Sequence, residues 1–207
     1  MLHPSEMSMR SIIADKTAVE AGYVNHNDDL GGETNHGITR ATADEHRSLW
    51  AKHNWNGDMR TLPIALAYEI YQVAWWNRMQ LDAILSIYPM MADRIFDFGI
   101  NAGRGNAGRS LQRLLNVSNR QGRDYPDLVV DGSIGPRTVE ALRQYATRNG
   151  DEAMGRLTML MYSMQNYHYV DICEKRERNE SFMNGWAART WRDLKFYAEW
   201  MVERYRK

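Results

Sequence analysis

Val19-Glu20-Ala21-Gly22-Tyr23-Val24-Asn25-His26-Asn27-Asp28-Asp29-Leu30-Gly31-Gly32-Glu33-Thr34-Asn35-His36-Gly37-Ile38 is the stretch on which the fold and the chemistry of this chain turn. Upstream of it, an amphipathic run (Ile12, Ile13, Lys16, Val19) has helical spacing, and Ala21-Gly22 is a helix stop signal. Glu20 is therefore expected on the last turn of a helix, where the helix dipole disfavours negative charge. A carboxyl held against that field has a reason to keep its proton, and a proton donor needs one. The segment that follows is dense in Gly, Asn and Asp, with Tyr23, Val24, Thr34 and Ile38 as β-formers, and reads as a small irregular hairpin. Asp29 stands nine positions past Glu20, and Thr34 five past Asp29.

A helix end feeding a hairpin can hold two acids on opposite walls of one cleft. Glycoside hydrolysis needs that arrangement: one carboxylic acid protonates the leaving oxygen, and a second carboxylate places a water or attacks the sugar. The competing reading is a surface turn with solvated acids, because Asp and Asn favour turns for local reasons alone.

Glu20-Ala21-Gly22-Tyr23-Val24-Asn25, followed by Asp29-Leu30-Gly31-Gly32-Glu33-Thr34-Asn35-His36-Gly37-Ile38-Thr39, resembles the signature of phage-type N-acetylmuramidases of glycoside hydrolase family 108. Their pattern is E-G-G-Y-x-N, then D-P-G-G-x-T-N-x-G-I-T. Ala21 replaces a Gly and Leu30 a Pro, and neither change removes a reacting group. Phe96-Asp97-Phe98-Gly99-Ile100-Asn101-Ala102-Gly103 and Val130-Asp131-Gly132-Ser133-Ile134-Gly135-Pro136-Arg137-Thr138 resemble the C-terminal half usual in that family, a predicted peptidoglycan-binding segment. The Glu, Asp, Thr constellation also resembles that of phage lysozymes. The resemblance implies a mostly α, lysozyme-like fold with a small β-hairpin beside the cleft. It implies hydrolysis of the β-1,4 bond between N-acetylmuramic acid and N-acetylglucosamine, with Glu20 as general acid, Asp29 positioning or activating water, and Thr34 assisting. Tyr23, Asn35, His36 and Asn101 are the implied substrate contacts. No cofactor is implied.

At 207 residues the chain can bury a real core, and 43% hydrophobic residues mark it as globular rather than disordered. With 26 basic and 26 acidic residues there is no bulk drive toward nucleic acid. The single cysteine, Cys173, rules out an internal disulfide framework and reads as a buried filler. No stretch approaches the ~20 apolar residues of a membrane span, and Met1 to Arg10 holds no run of signal length. The expectation is a monomer made in the bacterial cytoplasm and delivered to the wall through a holin-type pore or another route, with the peptidoglycan glycan strand as partner.

Two parts are expected: residues 1–92 as the catalytic part, and 93–207 as a helical part with the wall-binding segment, packed with the first as one unit. Thr42-Ala43-Asp44-Glu45 is a capping box for a helix through Leu49 and Trp50. Thr61 reads as the cap of a helix with Pro63 in its first turn, continuing to Trp75. Short helices are expected over 81–87 and 90–100, another from Pro136, an apolar one over 154–169, and a last one over 191–205. Gly103, Gly105 and Gly108 form a Gly-x-Gly-x-x-Gly, but no strand precedes it and no acidic ribose partner fits, so a dinucleotide site is rejected in favour of close helix packing.

Of Trp50, Trp55, Trp75, Trp76, Trp186, Trp191 and Trp200, most read as core or core edge and a minority as sugar platforms. Asn101 is read two ways, as a sugar contact or as a cap of the Gly103 turn. His26 and His36 flank the two Asp residues but match no zinc spacing, so no metal is expected. Two alternatives stand beside hydrolysis. A lytic transglycosylase would not need Asp29, and a non-catalytic peptidoglycan-binding or virion protein would need none of the acids.

Overall fold

The computed structural model describes residues 3–19, 22–25 and 32–206, and the chain divides into two units, Leu2–Arg78 and Met79–Lys207. In the first unit, helix α1 (Met9–Val19) follows the apolar spacing, and its Ile12 and Ile13 are fully buried. Strands β1 (Tyr23–Val24), β2 (Thr34–Asn35) and β3 (Ile38–Thr39) then form an antiparallel sheet in the order β1-β2-β3.

The sequence reading expects one irregular hairpin, and the structure adds a second, tight one. Asn35 pairs with Ile38, and the two residues between them, His36 and Gly37, have φ of 51° and 73°. Positive φ at both central positions is the turn whose twist suits a two-residue hairpin, and Gly37 adopts it without a Cβ clash.

Helix α2 (Arg40–Glu45) starts directly from β3. Its cap is Thr39, whose hydroxyl accepts the Thr42 N–H at 3.2 Å, so the expected box at Thr42 lies inside the helix. The strand delivers Thr39 in the extended geometry a cap requires. The helix stops at Glu45 and gives way to 3-10 turns at Arg47–Leu49 and Ala51–His53, rather than running through Trp50. Helix α3 (Ile64–Tyr71) has Pro63 at its cap position, while Thr61 belongs to a 3-10 turn, Met59–Thr61. A π-helical turn, Gln72–Trp76, extends α3 and leaves Trp76 fully buried.

The second unit contains helices α4 (Leu81–Ile87), α5 (Pro89–Ala102), α6 (Arg104–Ser118), α7 (Pro136–Glu174) and α8 (Glu180–Tyr205). The boundary expected at 92/93 falls inside α5. Pro89 and Pro136 each stand in the first turn of a helix, where a missing N–H breaks no bond. α7 joins two segments that the sequence shows as separate helices, with a break at Gly150 (φ 77°, ψ −179°). α8 starts at Glu180 rather than at 191, because Phe182 and Trp186 extend its apolar stripe. Trp186 stacks on Tyr169 of α7 at 4.9 Å, and Phe182 stacks on Trp186 at 5.8 Å.

Met91, Ile95, Phe96, Phe98, Leu111, Leu115, Leu142, Leu157 and Met161 are fully buried, and Cys173 is buried as expected. Each such apolar side chain contributes about 1.5–3 kcal/mol. Arg94 is buried in this core because Asp97 pairs with its guanidinium and Tyr162 lies 4.3 Å beneath it. Without those partners the charge would carry a large desolvation penalty.

The mostly α, lysozyme-like class with a small β-element holds for this chain. Of the three glycines of the rejected nucleotide motif, Gly108 of α6 has the packing role: a Cβ there would stand 2.1 Å from the Gly132 carbonyl oxygen, whereas a Cβ on Gly103 would meet nothing within 4 Å. Gln112, one turn further along α6, accepts the Gly132 N–H and donates to Asp131 and to the Ser133 carbonyl. The helix and the turn at 131–133 are therefore bonded at contact distance. Gly108→Ala forces backbone to move against backbone and is expected to destabilise the protein by about 1–3 kcal/mol, read as a lowered urea midpoint with an unchanged slope.

Candidate active site

Glu20 and Asp29 lie outside the described residues; the elements that flank them in sequence are described. β1 begins three residues after Glu20, and β2 begins five residues after Asp29. Tyr23 is paired with Asn35 and Val24 with Thr34, so β1 and β2 are fixed to each other by strand register.

Thr34 is half-buried, and its hydroxyl donates to the Gly32 carbonyl at 3.2 Å. With its proton directed there, the oxygen still has a lone pair to offer to a donor. Tyr23 is also half-buried, and its hydroxyl donates to Glu33 Oε1 at 2.9 Å. Asn35 is 5% exposed and gives its amide to the Met59 carbonyl at 2.7 Å, which ties β2 to the turn at Met59–Thr61. His36 occupies the tight turn. Its backbone carbonyl accepts the Tyr71 hydroxyl at 3.1 Å, and its buried ring Nδ1 has no partner among the described residues.

Asn101 belongs to the second unit, near the end of α5, and donates to the Asp97 carbonyl at 2.7 Å. Its amide thus bonds back onto the preceding turn of its own helix, at a carbonyl whose second lone pair is open to it. Among the described residues no group of three or more His, Cys, Asp or Glu is placed to hold a metal ion. Of the tryptophans, Trp55 and Trp76 are core, whereas Trp191 is 65% exposed.

The residue that sequence reasoning missed is Glu33. Its Oε1 takes the Tyr23 hydroxyl, and its Oε2 takes Arg40 Nη2 at 3.0 Å and Nε at 3.3 Å. Arg40 then donates through Nη1 to the Gly57 carbonyl at 2.6 Å. One carboxylate therefore clamps β1 to the start of α2, and through Arg40 to the loop at Gly57. The Tyr23 hydroxyl and the Arg40 guanidinium hold the Glu33 carboxyl below its ordinary pKa, and Glu33 in turn raises that of Tyr23. Arg60 lies over the Tyr23 ring, 5.5 Å from its centre. Seven positions separate Glu33 from Arg40, about 10.5 Å along a helix and opposite faces on a strand, so only the folded hairpin brings them within bonding distance.

Residues 14–103 match the family described as Glycosyl hydrolase 108, and residues 106–191 match the one described as Predicted Peptidoglycan domain. The first match takes in α4 and α5 as well as the sheet, so the family boundary falls between α5 and α6 rather than at 78/79. No curated protein matches the chain. Among solved structures, the Structure of Brucella abortus SagA is similar, with a TM-score of 0.66 and 22% identity over 93% of this chain and 95% of that one. That likeness concerns the fold.

The Glu33 clamp has a pH signature. Its depressed pKa means that the stabilisation it provides is fully present above the unfolded value near 4.5 and is lost as pH falls through the lower folded value. Amide-exchange protection of residues 23–24 and 34–39, corrected for intrinsic rates, is expected to drop over that acid window. Glu33→Gln is expected to lower protection at neutral pH and to remove its dependence on pH there.

Proposed function

We propose that this muramidase, whose residues 14–103 match glycosyl hydrolase 108 and whose residues 106–191 match a peptidoglycan domain, uses Glu20 as its general acid and Asp29 as the carboxylate that activates the attacking water. The observation that carries this reading is the pairing of Val24 with Thr34. It joins the two segments from which both acids are reached: four residues of chain, at most ~14 Å, lead from Val24 to Glu20, and five, at most ~18 Å, from Thr34 to Asp29. Thr34 supplies the third element. Its hydroxyl proton goes to the Gly32 carbonyl, so its oxygen accepts from the same water that gives its other proton to Asp29. Protonation by Glu20 lets the sugar oxygen leave while that water attacks the opposite face of the ring.

Tyr23, with its ring under Arg60, and His36, with a ring nitrogen unpartnered among the described residues, are the glycan contacts this reading favours in the first unit. Asn35 acts through the sheet it anchors. The scheme uses side chains and water alone. Bacteriolysis by a monomeric, endolysin-like protein delivered through a holin-type pore belongs to the same proposal. Among the described residues no helix is long and apolar enough to cross a membrane.

Glu20→Gln keeps the shape and removes the transferable proton, and is expected to cut the rate of wall hydrolysis by ~10²–10⁴-fold with the fold intact by circular dichroism. A variant within a few-fold of the parent would remove Glu20 from the role. The pH profile of the parent should be bell-shaped, its acid limb belonging to the deprotonated Asp29 and its basic limb to the protonated Glu20, with coupling shared between them.

Carboxyls on separate walls, with a hydroxyl beside the water, favour inversion, for which the spacing is ~6.5–9.5 Å rather than ~5–5.5 Å. Proton NMR of the first-formed reducing sugar should therefore show the α-anomer. Asp29→Asn and Thr34→Ala should both be impaired, Thr34→Ala less so. A β-anomer appearing first overturns inversion, and a 1,6-anhydro product means a transglycosylase.

A further inference from the structure

A cavity of about 950 Å³ lies in the second unit, lined by Gln112 of α6, the loop from Tyr125 to Gly135 and the first turns of α7. It falls within the residues that match the Predicted Peptidoglycan domain, and no step of the hydrolysis uses it. Three carboxylates line it, and two of them, Asp127 and Asp131, are each gripped on one oxygen by a buried amide. Asp127 Oδ1 accepts from Asn119 Nδ2 at 2.6 Å, and Asn119 is 1% exposed. Asp131 Oδ1 accepts from Gln112 Nε2 at 2.8 Å and from the Ser133 N–H at 2.8 Å, and Gln112 is 2% exposed. Those bonds hold the Asp131 carboxyl below its usual range. Among the described residues, the second oxygen of each carboxylate has no hydrogen bond.

Arg137, in the first turn of α7, adds a guanidinium that has no ion pair among the described residues. The helix N-terminus favours negative charge at the same place. The remaining acid in the lining, Glu140, is engaged by Gln144 at 3.1 Å and by Arg143 at 3.7 Å. The wall also carries Val129, which is 72% exposed. The one aromatic ring of the lining is Tyr125, which is 4% exposed with its hydroxyl bonded to the Leu115 carbonyl, so it offers no face for a sugar to stack on.

The cavity therefore presents anchored anionic oxygens, one cationic fork and an aliphatic wall. Peptidoglycan sugars carry no ammonium group, whereas a stem peptide with a diamino acid does, and in diaminopimelate that ammonium shares a carbon with a carboxylate. We propose that this cavity binds the peptide stem through the free amino-acid end of its diamino acid, with the ammonium at Asp127 and Asp131 and the carboxylate at Arg137. An uncross-linked stem keeps that end free, so the second unit would mark uncross-linked wall. The proposal rests on the reading of the chain as a peptidoglycan hydrolase.

The test is calorimetric titration of the full chain carrying Glu20→Gln, which leaves glycan uncut. The probes are the tripeptide L-Ala-γ-D-Glu-meso-diaminopimelate, the same tripeptide with lysine in the last place, its amine-acylated form, and an N-acetylglucosamine tetramer. Saturable binding of the first is expected, with roughly tenfold loss for the lysine and acylated forms and for Asp127→Asn and Arg137→Gln. Absence of tripeptide binding, equal affinity in both variants, or displacement of the tripeptide by the tetramer overturns the proposal. Cleavage of a stem-free glycan strand by the parent and by Arg137→Gln is measured separately, and both should cut at the same rate. A parent that leaves this strand intact sinks the muramidase reading, whatever the tripeptide does.

Discussion

Two-residue strands do not hold themselves together, and the geometry of this site depends on the bonds that hold them from outside. An isolated hairpin is marginal in water, and here each strand contributes only two residues to pairing. The anchors come from elsewhere in the first unit. Asn35 reaches the Met59 carbonyl, Tyr71 reaches the carbonyl of the His36 turn, and Arg40 bridges Glu33 to Gly57. Fully buried Ile38 adds the apolar contact. The sheet is thus a small, rigid frame fixed by side chains whose partners are backbone carbonyls, and such partners cannot rotate away.

The second unit solves a different problem with the same chemistry. Long helices pack through apolar stripes, yet the core keeps Arg94, Asp97, Gln165 and Tyr169 as a buried polar set, with Gln165 donating to the Tyr169 hydroxyl at 2.6 Å. Arg189 of α8 donates to that same hydroxyl at 2.7 Å. These groups specify how α5, α7 and α8 pack, since any slip would leave a charge unpaired in the interior. Gln112 does for the turn at 131–133 what Asn35 does for β2: a buried amide donates to a backbone carbonyl of another segment and ties the two together.

Helices and the general placement of the sheet were legible in the sequence because apolar periodicity and glycine or proline punctuation are local signals. α1, α4 and the start of α7 lie where Ile12-Ile13, Leu81 to Ile87 and Pro136 put them. The cap of α2 was misplaced by three residues because Thr39 and Thr42 look equivalent until a strand fixes the backbone of one of them. The joining of α7 across Gly150, and the early start of α8, depended on contacts such as Trp186 on Tyr169, which no spacing rule reports.

For the site, the chain itself determined which chemistry was available: Glu20, Asp29 and Thr34 within fifteen residues, on a stretch that must turn sharply. It also argued against a nucleotide site at the Gly103 to Gly108 motif, since no strand precedes it, and of those glycines Gly108 is the one packed against the Gly132 backbone. Only the tertiary structure decided that Asn35 is spent inside the protein, that Glu33 is the clamp joining β1 to α2, and that Asp127, Asp131 and Arg137 line one cavity. The reason is physical: a residue type limits what a group can donate, accept or titrate, but its partner is chosen by packing between segments far apart in the chain.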